Sequence, residues 1–204
     1  MIKVKICGIT NLEDALASFF SGANAIGFVF YGKSPRFIEP LKARNISRIL
    51  PRKILRVGVF VDEREETVKK IARLCNLDML QFHGNEPAGY CKKFKGYKVI
   101  KAFRIGKGIN LPEISEYKVF GRLFDAFSKS GAGGTGRKFN WNLLKNADKI
   151  SGKVFLSGGL TSANVLSAIR KVRPDWVDVS SSLEYLPGKK DHKKIQRFMK
   201  AAKA

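Results

Sequence analysis

Apolar and polar positions along this chain follow two alternating rhythms. Short β-rich runs recur at intervals of about 20 to 30 residues, and the stretches between them carry apolar residues at helical spacing. The runs predict strands at Lys3 to Gly8, Ala25 to Phe30, Leu55 to Val61, Met79 to His83, Lys98 to Phe103, Val119 to Ala126, Val154 to Ser157 and Trp176 to Ser180. Helices are predicted at Leu12 to Ser21, Leu41 to Leu50, Glu65 to Leu74, Pro87 to Phe94, Trp141 to Ala147, Ser162 to Val172 and Lys190 to Lys203. The fifth connection, Gly106 to Glu116, has room for a short helix at most. Thr10 or Asn11 suits the cap of the first helix, with Glu13 and Asp14 in its opening turn, and Thr161 suits the cap of the helix before the eighth strand. Such alternation is the signature of parallel βα units. Eight of them in about 200 residues match the lower size limit of a closed barrel, with a doubly wound open sheet as the alternative. The expected fold is α/β, a single (β/α)8 TIM barrel occupying 1–204 as one domain.

Side chains of a strand alternate between two faces, so a polar residue within an apolar run marks which face is special. Val4 and Ile6 oppose Lys5 and Cys7; Leu80 and Phe82 oppose Met79, Gln81 and His83; Leu123 shares a face with Asp125, and Asp178 shares one with Ser180 against Val177 and Val179. In a barrel the helix-facing parity must be apolar. The polar parity then points inward, and its members nearest the strand C-termini converge at the mouth: Cys7, His83, Asp125 and Ser180. The same rule turns Lys5 and Lys101 inward, which demands an acidic partner such as Asp178. His83 reads first as a strand-end residue hydrogen-bonded to a loop. Cys75 and Cys91 fall in helical stretches and read as packing.

Composition narrows the class. A chain of 204 residues, 44% hydrophobic and 27% charged, supports one substantial core. Its apolar runs fall far short of the ~18 residues a membrane helix needs, and Met1 to Val4 lead straight into strand-like alternation, so neither a membrane span nor a secretory signal is expected. Three dispersed cysteines, Cys7, Cys75 and Cys91, lack metal-ligand spacing, which argues against a zinc site or a disulfide framework and for a reducing cytoplasm. Lys and Arg number 39 against 17 Asp and Glu, a net charge of +22 that attracts phosphates of any kind. The basic residues are spread along the chain rather than gathered in a stripe, and the densest run, Lys189 to Lys203, sets Ile195, Phe198, Met199 and Ala202 on one helical face with lysines outside. A solvated helix face explains that run, and no specific nucleic-acid partner is expected.

Gly131 to Gly136 has the GxGxxG spacing, but no strand leads directly into it and no ribose-binding acid follows. Arg137-Lys138-Phe139 likewise replaces the GK[ST] of a nucleotide P-loop. The segment reads as a loop after the sixth strand that can close over a substrate. Leu156-Ser157-Gly158-Gly159-Leu160 and Val177 to Ser182 follow the seventh and eighth strands, where barrels commonly bind phosphate through backbone N–H groups and hydroxyls.

At this level of detail the chain resembles the phosphoribosylanthranilate isomerase family of tryptophan biosynthesis from end to end. The resemblance rests on Val4 to Thr10, Gly27 to Phe30 with Lys33-Ser34-Pro35-Arg36, Gln81 to Gly84, Leu123-Phe124-Asp125, Gly133 to Gly136, Leu156 to Leu160 and Asp178 to Ser181, in that order. It implies an Amadori rearrangement of N-(5-phosphoribosyl)anthranilate to 1-(2-carboxyphenylamino)-1-deoxyribulose 5-phosphate without metal or organic cofactor, by a cytoplasmic monomer or homodimer. The implied roles are Asp125 as general acid, with a raised pKa in a buried apolar mouth, and Cys7 as general base, with a pKa lowered by a cationic site. Arg36 corresponds to the anthranilate carboxylate site, Gly158, Gly159, Ser180 and Ser181 to the phosphate site, and Asp178 to a position that binds a ribose hydroxyl or orients Lys5. Ser182 departs from the family's usual glycine, and Ala126 from a small hydroxyl residue. The related isomerase of histidine biosynthesis usually has an aspartate where Cys7 stands.

Overall fold

A computed structural model describes residues 1–105, 110–126, 141–144 and 151–204; the glycine loop at 131–136, the Ala126 side chain and 145–147 of the expected fifth helix lie outside the described residues. Eight parallel strands close into a barrel in sequential order: β1 (Lys3–Cys7), β2 (Ala25–Val29), β3 (Leu55–Phe60), β4 (Met79–Phe82), β5 (Lys98–Ile105), β6 (Gly121–Ala126), β7 (Lys153–Leu156) and β8 (Trp176–Val179). The open-sheet alternative is thereby removed. Around them lie α1 (Leu12–Phe20), α2 (Pro40–Ile49), α3 (Glu65–Leu74), α4 (Ala88–Cys91), α5 (Leu111–Ser115), α6 (Val165–Val172) and α7 (His192–Lys203), with a 3-10 turn at Trp141–Leu144. A second 3-10 turn, Ser181–Leu183, leads into an antiparallel hairpin of β9 (Glu184–Leu186) and β10 (Lys189–Lys190). Only Lys190, at the end of the hairpin, falls within the segment expected to be the last helix; α7 itself begins at His192.

Asn11, not Thr10, caps α1, its side-chain oxygen accepting from the Asp14 N–H at 2.8 Å. Thr161 does not cap α6: the helix begins after Asn164, whose side chain instead accepts from the Thr161 N–H. In α7 the expected apolar stripe is buried, with Ile195 and Phe198 fully enclosed.

Inward-facing side chains stack in layers. The lower layer joins Ala25, Val57, Met79, Ile100, Leu123, Phe155 and Trp176, with the Phe155 and Trp176 rings stacked at 5.0 Å. Above it sit Lys5 and Asp178, adjacent in the β1–β8 register, and nearer the strand C-termini Cys7 packs with Val29 and Val59. The parity argument holds for Lys5 and fails for Lys101. Ile100 and Ala102 are the β5 residues that enter the interior cluster, so Lys101 points outward, where its ammonium donates to the Gly84 carbonyl at 2.7 Å and to Glu86 at 3.0 Å. Arg56 on β3 and Arg122 on β6 are also buried on the outer parity. Arg56 donates to the Leu50 and Ser47 carbonyls at the end of α2, and Arg122 to the Ile114 and Tyr117 carbonyls at the end of α5. Last-turn carbonyls have no intrahelical donor, so a strand cation beneath them satisfies groups that would otherwise be desolvated unpaired.

Phe155 is fully buried in the lower layer. Phe155→Ala is expected to destabilise the barrel by roughly 3–5 kcal/mol, read as a lower urea midpoint with an unchanged slope.

Candidate active site

The inner face of β1 ends in Cys7, 8% exposed, one pleat above the fully buried Lys5. Lys5 Nζ donates to Asp178 Oδ1 at 2.8 Å, the acidic partner expected from the sequence. Cys7 lies beside Gly27 in the β1–β2 register, and a Cβ on Gly27 would come 2.7 Å from Cys7 Sγ and 3.1 Å from Lys5 Nζ. The bare backbone of Gly27 therefore leaves the space in which thiol and ammonium meet. Burial pushes the Cys7 thiol above the ordinary thiol range; the charge of Lys5 pulls against this, Asp178 adds to it, and Lys190 opposes it weakly. The expectation of a lowered thiol pKa is thus overturned, because loss of solvent outweighs the nearby cations. Burial also works against the charge on Lys5, but the Asp178 carboxylate and then Cys7 outweigh it and raise its pKa.

Across the mouth, β6 turns Asp125 inward, two residues beyond the interior Leu123. Its side chain is 32% exposed, so the expected buried apolar setting is not what the fold provides. His83 faces it, with Nε2 3.4 Å from Asp125 Oδ2, while Nδ1 is 2.9 Å from the buried Gln81 amide nitrogen. His83 follows the end of β4 as foreseen, but it meets the mouth carboxylate and not a loop. The imidazole thus sits between the Gln81 amide and the Asp125 carboxylate.

The loops after β1, β2, β7 and β8 complete the rim. Gly8 has φ +76°, and a Cβ there would stand 2.7 Å from the Arg36 side chain and 3.1 Å from Ser180 Oγ, which itself donates to the Cys7 carbonyl at 3.0 Å. Gly158 and Gly159 both take left-handed backbone, φ +88° and +64°, which favours glycine. Ser181 and Ser182 form the following 3-10 turn, and Ser182 Oγ donates to the Leu160 carbonyl at 2.5 Å, tying the β8 loop to the β7 loop. Ser182 is not among the positive-φ residues, so its departure from glycine costs the loop no strain. Asp178, Gly158, Gly159, Ser180 and Ser181 thus gather at one end of the barrel with Cys7, Asp125 and Arg36.

Two residues of the rim escaped the sequence reading. Glu184 accepts from Arg36 Nε at 2.9 Å and from Nη2 at 2.6 Å, and from Lys190 Nζ at 2.7 Å; Lys190 also reaches the Ser180 carbonyl at 3.3 Å. Burial raises the Glu184 pKa, but its hydrogen bonds to Arg36 and Lys190 prevail and hold the carboxyl below its ordinary range. An acid just past the paired serines, in a chain with 39 basic and only 17 acidic residues, was the available signal. Among the described residues, no group of three or more His, Cys, Asp or Glu is placed to hold a metal ion, and no helix is long and apolar enough to cross a membrane.

The fold and the rim define a class: a (β/α)8 barrel enzyme with ionisable side chains gathered at the strand C-termini beside loops of glycine and serine. The family model described as N-(5'phosphoribosyl)anthranilate (PRA) isomerase matches residues 4–201, and the chain belongs to that family. It is 48% identical to the N-(5'-phosphoribosyl)anthranilate isomerase of Trichlorobacter lovleyi over 203 residues, covering 100% of this chain and 98% of the relative. The crystal structure of phosphoribosyl anthranilate isomerase from Thermotoga maritima superposes with a TM-score of 0.94 at 47% identity, over 100% of this chain and 99% of that one. A phosphoribosyl anthranilate isomerase solved in complex with reduced 1-(o-carboxyphenylamino)-1-deoxyribulose 5-phosphate matches with a TM-score of 0.90 at 46% identity, over 100% of this chain and 99% of that one.

Because burial raises the Cys7 thiol, its alkylation by iodoacetamide in the free enzyme is expected to keep accelerating with pH where an exposed thiol has levelled off. Lys5→Met removes the nearest cation and should move that midpoint higher still; a wild-type midpoint at or below the ordinary thiol value would contradict the dominance of burial over the nearby cations.

Proposed function

We propose that this chain converts N-(5-phosphoribosyl)anthranilate to 1-(2-carboxyphenylamino)-1-deoxyribulose 5-phosphate by an Amadori rearrangement in tryptophan biosynthesis, with Cys7 as general base and Asp125 as general acid. The observation that carries the reading is the placement of Cys7 and Asp125 on the inward parity at one end of the barrel, with the Lys5–Asp178 pair beneath the thiol. One chain, 1–204, supplies every proposed residue and acts as a single catalytic domain, whether alone or as a homodimer.

The substrate carries two anions. Arg36 takes the anthranilate carboxylate, and the loops bearing Gly158, Gly159, Ser180 and Ser181 take the phosphate through backbone N–H groups and hydroxyls. Asp178 pairs with Lys5 beneath the thiol, and its carboxylate orients that ammonium or takes a ribose hydroxyl. In the first step the Asp125 carboxyl gives its proton to the furanose oxygen; the C1–O bond breaks, its electrons stay on oxygen as the C4 hydroxyl, and the anilino nitrogen supplies the pair that forms an iminium at C1. In the second step the Cys7 thiolate removes the C2 proton, and the C2–H electrons become the C1–C2 double bond of an enolamine, discharging the iminium. Protonation at C1 with loss of the enol proton then gives the ketone.

This sequence needs the proton on Asp125 and the thiol ionised when substrate arrives. Burial of Cys7 opposes ionisation, while Lys5, Lys190 and finally the iminium beside the thiol favour it. The His83 imidazole, 3.4 Å from Asp125, is suited to holding that side chain toward the ring oxygen.

Each of Cys7→Ala and Asp125→Ala is expected to lower kcat by ~10²-fold or more with folding intact, followed as loss of substrate fluorescence. Normal turnover in either variant would refute the assigned role.

A further inference from the structure

We propose that Glu184 is a positioning residue for substrate recognition: it holds the Nε–Nη2 edge of Arg36, so that the anthranilate carboxylate is received on the Nη1–Nη2 end of the guanidinium. The inference rests on the reading of Arg36 as the receiver of that carboxylate.

Three observations carry it. First, the contact is two-pronged, with Arg36 Nε 2.9 Å from Glu184 Oε1 and 3.1 Å from Oε2, and Nη2 2.6 Å from Oε2. A planar guanidinium gripped along one edge cannot rotate about its terminal bonds, and the donor pair it still presents is at its end. Second, Glu184 is itself anchored from below. Lys190 Nζ donates to Glu184 Oε1 at 2.7 Å and reaches the Ser180 carbonyl and hydroxyl at 3.3 and 3.4 Å, while Ser180 Oγ donates to the Cys7 carbonyl at 3.0 Å. The Glu184 side chain is 5% exposed and that of Lys190 fully buried, against 24% for Arg36, so the anchoring members are enclosed and the arginine meets the opening. Third, the charge count suits an anion. Two cations flank one carboxylate, leaving a single positive charge at the arginine for an incoming carboxylate. Without Glu184, two cations would adjoin and the guanidinium would lose its two-pronged contact. The hairpin of β9 and β10 thereby has a function: it brings Glu184 and Lys190 together, with Lys190 opposite Glu184 in its register.

The test titrates reduced 1-(o-carboxyphenylamino)-1-deoxyribulose 5-phosphate and, separately, ribose 5-phosphate into the full-length wild type, Glu184→Gln, Arg36→Ala and the double variant. Glutamine keeps the shape and an acceptor for Lys190 but removes the charge that grips the guanidinium. The expected result is a loss of about tenfold or more in affinity for the reduced product analogue in Glu184→Gln, little change for ribose 5-phosphate, and less than about a twofold further loss when Glu184→Gln is added to Arg36→Ala, since residues acting through one contact do not add. Turnover should show the same split, KM rising well beyond any fall in kcat. An unchanged affinity for the product analogue in Glu184→Gln, or a full additive loss on top of Arg36→Ala, overturns the inference. So does an equal loss for ribose 5-phosphate, which would assign Glu184 to the hairpin alone. If Arg36→Ala itself leaves the analogue's affinity untouched, it is the reading of Arg36 that fails. Should Glu184→Gln not fold, Glu184→Asp retains the charge on a shorter stem and is expected to raise KM by a smaller factor; a wild-type KM in that variant would also count against the two-pronged grip.

Discussion

The buried pair of Lys5 and Asp178 is the constraint around which this barrel is arranged. An ammonium with no exposure on the axis of a barrel is tolerable only with a carboxylate at hydrogen-bond distance, and the two lie 2.8 Å apart. Closure makes the pair possible. Lys5 belongs to the first strand and Asp178 to the last, and they become neighbours only because β8 pairs with β1. On its other side β1 pairs with β2, which sets Gly27 beside Cys7, where its missing side chain leaves room for Cys7 Sγ above the ammonium. Breaking such a pair by removing one partner leaves an uncompensated charge, a cost of ~3–5 kcal/mol, so the pair serves the site and the fold together.

Most of the architecture was legible because strand parity and helix period report directly on burial. The polar members of the inner parity, Lys5, Cys7, Gln81, Asp125 and Asp178, were readable as such, and the need of Lys5 for Asp178 followed from the cost of an unpaired charge. Lys101 shows where the reasoning stops. It assumes that the helix-facing side of a barrel strand is apolar, yet Lys101, Arg56 and Arg122 are buried on that side. Each satisfies a polar group that sequence periodicity does not register: the ends of α2 and α5 for the arginines, and the Gly84 carbonyl with Glu86 for the lysine. A hydrophobic pattern records side chains and is silent about where the last carbonyls of a helix come to lie.

The rim was legible as motifs and not as connections. Gly158 and Gly159 announced special backbone, and the paired serines announced donors. Nothing local in Glu184-Tyr185-Leu186 or Lys189-Lys190 distinguishes a hairpin from the start of a helix, since its meaning depends on Arg36, 148 positions away. The Cys7 pKa was misread for a related reason. A sequence can show that lysines are near in the chain, but the balance between their pull and the loss of water depends on how completely the thiol is enclosed.

The large positive charge takes on a different meaning once its location is known. Among the described residues, the buried charged side chains are Lys5, Arg56, Lys101, Arg122 and Lys190 against Asp14, Glu86, Asp178 and Glu184, an excess of one. Most of the +22 therefore lies outside this set, and charge that is exposed to water is screened by salt. A field of that kind raises the encounter rate of any small anion at low ionic strength without choosing between anions. The mouth adds groups held in fixed positions: a guanidinium gripped along one edge, two left-handed glycines and the serine turn behind them. Among the described residues, an almost charge-balanced interior thus stands within a strongly basic chain, so the fixed geometry of the mouth and the net charge are separate features of the molecule.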